Sequence, residues 1–562
     1  MSMQNRTKSQ ESSNAIERMY IAMRHLFSRG YYKPMGASGE TLRNSLLMLS
    51  PEIYGSITTE KVDLKGLLYV LDRLPEGIEE CQFIKFTADE GYRNSSFKAI
   101  IPRKRRRNCY RIDTDQMVIE ITRGRSEIYD ILTHLTFLYI ESHKIRNKVY
   151  FENENLSVSN ATSNLREWEF LEDIVINNKE LSKEEHEVLL VHLSSILGRS
   201  YQEIKETYTD FAVDDNPERF AHIVYWLGKL AIDEFEHKSN KRTITFSNTL
   251  QASIGHHIYG EKWANDIKKV LFEKNLLERP IHIISANMHS VMNTLYAADT
   301  LPDLTSDNPL ELFHKLSDDA NEDLRKTVKE FAAKKGLYYI KDKSGTNINV
   351  QIIDTSKIDL TRWNFDESKE KPVLIVMDYA FGEQAYETMD ELLKPYYLKD
   401  KTYPMLVESV SIMGKAGILE GNKGDIMIPT AHIFEGTADN YPLKNRLKKS
   451  DFEDSDIPVI KGAMISVLGT SLQNKDILQF FHDSTWKVIG LEMEGAHYQK
   501  AIQAASQIRG NISKKVQVRY AYYASDNPLK TGSTLASGGL GTTGVEPTYT
   551  ITNKIVSQIF TQ

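Results

Sequence analysis

Gly490-Leu491-Glu492-Met493-Glu494-Gly495-Ala496 and, further along, Ala524-Ser525-Asp526 are the stretches on which the reading of this 562-residue chain turns. Each closes an apolar run, residues 488–491 and 517–523. A carboxylate at a strand end, followed by small residues that open a helix, is well placed to accept hydrogen bonds from a polyol. Bonds of that kind to a charged acceptor are strong. Glu494 is the candidate acceptor, Met493 the candidate surface for a sugar face, and Glu492 and Ser525 lie beside them. Asp526 follows a strongly apolar strand, where desolvation raises a carboxyl pKa and makes it a proton donor near neutrality.

Outward from these motifs the chain changes texture near Arg279. Apolar runs at 281–284, 373–377, 406–412, 425–429 and 463–468 alternate with helical patterns at 382–393, 473–481, 495–505 and 549–560. Strand alternating with helix is the signature of an α/β sheet flanked by helices, whose strand ends form the ligand crevice. The first half reads as mainly helical, with a few strand-like runs at 82–86, 97–101 and 117–121. A polar stretch at 153–164 looks like a loop or internal linker. The expected domains are therefore 1–277 and 278–562.

Bulk composition narrows the class. The net charge of −7 offers no global attraction for nucleic acid or an anionic membrane. Two cysteines, Cys81 and Cys109, make no disulfide framework and have no metal-ligand spacing. No apolar run approaches the roughly 18 residues of a membrane span, and residues 1–14 lack the apolar core of a signal peptide. The expectation is a soluble cytoplasmic protein with no metal and no cofactor, binding neither nucleic acid nor membrane. Residues 103–107, Arg-Lys-Arg-Arg-Arg, read as a solvated hairpin or salt-bridge surface.

The ordered pair Glu492-Met493-Glu494-Gly495-Ala496 and Ser525-Asp526 resembles the purine nucleoside phosphorylase/nucleosidase superfamily. The resemblance extends to Ile412-Met413-Gly414-Lys415-Ala416-Gly417-Ile418, matching a small-residue turn of the family, and to Gly424-Asp425-Ile426-Met427-Ile428-Pro429. It covers about half the chain. It implies an α/β domain with a mixed central sheet, in which Glu494 binds ribose hydroxyls, Met493 lies against the sugar, and Asp526 protonates or hydrogen-bonds the purine at N7. Gly414, Ala416 and Gly417 would line the site, as would Thr470 and Ser471 after the strand at 463–468. Members are commonly oligomers, so a homo-oligomer is expected.

Two departures bear on mechanism. Family nucleosidases carry a water-activating Glu after the first strand, whereas Ala286-Asn287-Met288-His289-Ser290 stands here without a carboxylate. His289, which titrates near neutrality, and Glu383, in Asp378-Tyr379-Ala380-Phe381-Gly382-Glu383-Gln384, are the candidate bases. Lys415 puts a cation where the family has small residues, suited to phosphate or a 5′-phosphate. His432, Phe434, Glu435 and Gly436 are read as a neighbouring wall or a subunit contact, and 530–544 as a mobile loop that closes over ligand or merely connects. The expected reaction is hydrolysis of the N-glycosidic bond of a purine nucleoside or nucleotide such as AMP. A phosphorylase using phosphate as nucleophile and a non-catalytic nucleotide sensor are the alternatives.

Overall fold

The computed structural model describes residues 8–105, 107–150, 164–213, 216–237, 241–306, 308–437, 439–531 and 540–561. The expected linker at 153–164 lies outside them except for Asn164, as do Arg106, residues 1–7 and 532–539 of the expected loop. The protein is α/β. It divides into one compact unit of residues 1–122 with 127–252, and a second of Arg123–Ser126 with 253–562. Among the described residues, no helix is long and apolar enough to cross a membrane.

The first unit is mostly helical around a six-stranded sheet. Strand Phe83–Thr87 runs parallel to both Gln116–Glu120 and Thr243–Phe246. Two successive helices, Lys183–Leu197 and Tyr201–Tyr208, each open on a serine capping box, Ser182 with Glu185 and Ser200 with Glu203. The described cations of the basic run are engaged by acids. Arg103 and Lys104 face Asp72, Arg105 faces Asp130, and Arg107 reaches Glu127 at 3.1 Å.

The second unit is built on β1 (Ile281–Ser285), β2 (Leu337–Ile340), β3 (Val350–Asp354), β4 (Val373–Met377), β5 (Val407–Ile418), β6 (Ile426–Phe434), β7 (Asn440–Pro442), β8 (Val459–Ser466), β9 (Val488–Glu492) and β10 (Gln517–Asp526). Its sheet order is β7-β6-β8-β9-β5-β1-β4-β3-β2, and β10 pairs with both β5 and β6. The pairings β5-β10-β6-β8-β9-β5 thus close on themselves, and the long strands β5 and β6 form part of that ring. Parallel and antiparallel pairs are mixed: β5 runs parallel to β1 and β10 but antiparallel to β9.

β1, β4 and β9 are buried along their whole length, as continuous apolar strands covered on both faces must be. Along β4 the side chains alternate between two cores. Val373, Ile375 and Met377 enter one; Leu374 and Val376 enter the other. Four helices matter for the site: α1 (Met288–Thr300), α2 (Gln384–Leu392), α3 (Gly495–Gln503) and α4 (Val545–Phe560). One expectation is corrected. Met413 to Gly417 is not a turn but a continuation of β5, which stays extended to Ile418 by taking a bulge at Ala416/Gly417 and pairing with β9 there.

Candidate functional site

β9 delivers the Glu492-Met493-Glu494 turn into α3, and Glu492 holds that turn together. Its Oε2 accepts the amide of Glu494 at 2.5 Å and the amide of Gly495, while Oε1 accepts the Ser466 hydroxyl. Burial pushes its pKa up to about 7, against those donors. Gly495 is required by space. A Cβ there would lie 2.3 Å from His432 Cδ2 and 2.7 Å from Tyr522 Oη. Both rings are buried and in contact with each other, His432 Nε2 and Tyr522 Oη being 3.3 Å apart.

Glu494 projects from the same turn and accepts the Gly382 amide on Oε1 at 2.9 Å. Burial and the neighbouring Glu492 charge push its pKa up to about 8, opposed by the Gly382 amide and by Arg123. Gly382 sits at φ +56, a conformation that disfavours a side chain. Met493 is 6% exposed, its Cε 3.8 Å from where a Gly382 Cβ would be.

Asp526 ends β10. Register aligns Asp526 with Gly417 of β5, and Gly417 in turn with Leu491 of β9. Two strand spacings, about 10 Å, separate the backbones at 526 and 491. Asp526 and the turn carrying Glu494 therefore flank β5 on opposite edges at the level of Ala416–Gly417. The Ser525 hydroxyl donates to Asp526 Oδ1 at 2.6 Å and also faces the Ala416 carbonyl at 3.1 Å. Asp526 Oδ2 is buried with no hydrogen-bond partner among the described residues. Burial raises the Asp526 pKa above the ordinary carboxyl value, with Ser525, Lys415 and Lys423 pulling the other way. Gly414 lies against Tyr379, where an added Cβ would be 3.5 Å from the ring.

The remaining sequence candidates occupy distinct places. His289 starts α1, its amide bonded to the capping Asn287 Oδ1 at 2.9 Å. Burial lowers its pKa, against the pull of Asp378. His289, Lys415 and Arg325 line one cavity of about 450 Å³ together with Asn287, Asn293 and Tyr523. Glu383 is ion-paired with Arg125 at 3.3 Å, and its Oε2 is buried without a hydrogen bond among the described residues. Thr470 and Ser471 form a short turn after β8, with Ser471 buried. Glu435, at the end of β6, accepts the Leu468 amide at 3.2 Å, and burial pushes its pKa up to about 7.

Sequence reasoning missed Arg123, Arg125 and Ser126. Arg123 immediately precedes the helix Gly124–Val149, and Arg125 and Ser126 lie in its first turn. Nothing local announces that Ser126 meets Glu383, 257 positions away.

A family model described as "Family of unknown function (DUF6909)" matches residues 40–249 and 311–561. No curated protein matches the chain. Among solved structures, 5'-methylthioadenosine/S-adenosyl homocysteine nucleosidase of Campylobacter jejuni is similar at 11% identity and TM-score 0.31, covering 50% of this chain and 100% of its own. Futalosine hydrolase of Helicobacter pylori aligns at 13% identity and TM-score 0.30, covering 50% and 99%. Isoform 2 of uridine phosphorylase from Schistosoma mansoni aligns at 11% identity and TM-score 0.30, covering 52% and 89%.

Proposed function

We propose that this chain, which belongs to that family of unknown function, hydrolyses the N-glycosidic bond of a purine nucleoside or nucleotide. The observation that carries the reading is the unpartnered, buried Oδ2 of Asp526, a carboxyl biased toward its protonated form, at the same level of the sheet as the Glu494 turn.

A purine is a poor leaving group as an anion. Transfer of the Asp526 proton to N7 lets it depart neutral, taking the electron pair of the C1′–N9 bond and leaving Asp526 as the carboxylate. The sugar becomes oxocarbenium-like. Glu494, once ionised above its raised pKa of about 8, accepts hydrogen bonds from the two ribose hydroxyls, and Met493 covers the sugar face. Water then adds its oxygen to C1′ and loses a proton to a base, for which His289 and Glu383 are the candidates. Glu383 is the weaker one, since Arg125 already neutralises it. Gly414, Ala416 and Gly417 wall the cleft, with Ser525 orienting Asp526.

The cavity shared by Lys415, Arg325 and His289 favours a substrate that carries an anionic group, as a nucleoside monophosphate does. The same cations support the second reading, in which phosphate is the nucleophile. Incubation with a panel of purine nucleosides and nucleotides, with and without phosphate, separates the cases. Hydrolysis gives free base with ribose or ribose 5-phosphate in either buffer, whereas phosphorolysis gives ribose 1-phosphate only when phosphate is present. Absence of free base from every compound would sink both.

A further inference from the structure

Four residues encoded far from every sheet motif, Arg123–Ser126, belong to the second unit and are engaged on α2, its neighbour Tyr259 or the segment that leads into α2. Ser126 Oγ accepts the Glu383 amide at 2.8 Å. The same oxygen lies 2.3 Å from where a Gly382 Cβ would stand, so Ser126 and the Gly382 backbone are in close contact. Arg125 pairs with the Glu383 carboxylate at 3.3 Å. Gly124, at φ +65, fits so closely that a Cβ would lie 2.7 Å from Tyr259 Oη and 2.8 Å from Glu387 Oε2. The Arg123 guanidinium lies 5.9 Å from the Phe381 ring centroid and acts electrostatically on Glu494. The turn at 381–383 is thus held from one side by Arg123–Ser126, while its Gly382 amide holds Glu494 from the other.

We propose that Arg123–Ser126 is a positioning strap for Glu494: Ser126 and Arg125 fix the turn whose Gly382 amide orients the carboxylate, and Arg123 places its guanidinium over Phe381 of the same turn. The sugar-gripping half of the site then depends on residues from the first half of the sequence. This rests on the reading of Glu494 as the ribose-binding carboxylate.

Among the described residues, Glu492 from β9, Tyr498 from α3, Tyr522 from β10 and Arg123 act electrostatically on Glu494. Burial and Glu492 favour the protonated form, which accepts ribose hydroxyls poorly, and Arg123 opposes them. Removing Arg123 therefore shifts the pH at which Glu494 ionises upward.

Two measurements on the full chain test the strap. Amide hydrogen exchange in Ser126→Ala is expected to quicken across residues 379–386, and unchanged exchange there overturns the proposal. In Arg123→Met, the rise of kcat/KM with pH is expected to move to higher pH, lowering kcat/KM on the acid side, and Arg123→Lys to restore most of it. A profile superimposable on the wild type also overturns it. Faster exchange in Ser126→Ala with no free base from the wild-type protein would support the strap and refute the glycosidase reading instead.

Discussion

Asp526→Asn isolates one proton. Asparagine keeps the shape of the side chain, and its carbonyl oxygen can still accept the Ser525 hydroxyl that Asp526 Oδ1 accepts at 2.6 Å. Its amide can donate a hydrogen bond to a purine nitrogen from the Oδ2 position but cannot transfer a proton. What is lost is the general-acid contribution alone, about 100- to 10,000-fold in rate, or about 3–5 kcal/mol of transition-state stabilisation. The fall belongs in kcat, with KM changing by no more than about threefold, because ground-state contacts survive. Free-base release followed by chromatography reads it. Folding provides the control. A carboxyl whose native pKa is raised weakens the fold progressively as pH climbs above its unfolded value, so the variant should melt no lower than wild type at pH 8. A properly folded variant within about tenfold of wild-type kcat would refute the role given to Asp526.

Lys415→Met should raise KM for phosphate-bearing substrates by about tenfold while leaving neutral nucleosides nearly unchanged, the loss expected of a charge-assisted contact that is partly open to solvent. Lys415 also pulls the Asp526 pKa down, so the alkaline limb of the pH profile should move to higher pH in the variant; a fixed limb would count against their proximity. Glu435→Gln should stabilise the protein at pH 8 and not at pH 4.5. The native carboxyl, pushed up from 4.5 to about 7, is penalised increasingly as pH rises through that interval, by about 3 kcal/mol at most. Equal melting shifts at both pH values would contradict this. Gly495→Ala should cost about 1–3 kcal/mol by overpacking against His432 and Tyr522, read by urea denaturation; an unchanged midpoint would show that those rings can move.

How much was legible in the sequence depended on range. β1, β4 and β9 were read because uninterrupted apolar runs such as Val373–Met377 leave little choice of structure. The Glu494 turn and Asp526 were read because each motif is contiguous. Met413 to Gly417 was misread as a turn because its small residues resemble one. Pairing with β10 along Met413 to Gly417, joined by β9 from Gly417 onward, keeps the backbone extended. The spent carboxylate of Glu492, tied to two backbone amides, could not be distinguished from Glu494 by sequence alone. Strands Leu337–Ile340 and Val350–Asp354 were missed, short segments surrounded by polar residues. Arg123–Ser126 was invisible because its partners lie far along the chain.

A crystal structure with a non-hydrolysable purine nucleoside bound tests the central claim most directly. The purine N7 should lie within hydrogen-bond distance of the Asp526 carboxyl and the ribose hydroxyls within reach of Glu494, both on one ligand. A nucleoside seated elsewhere, touching neither side chain, would contradict the account.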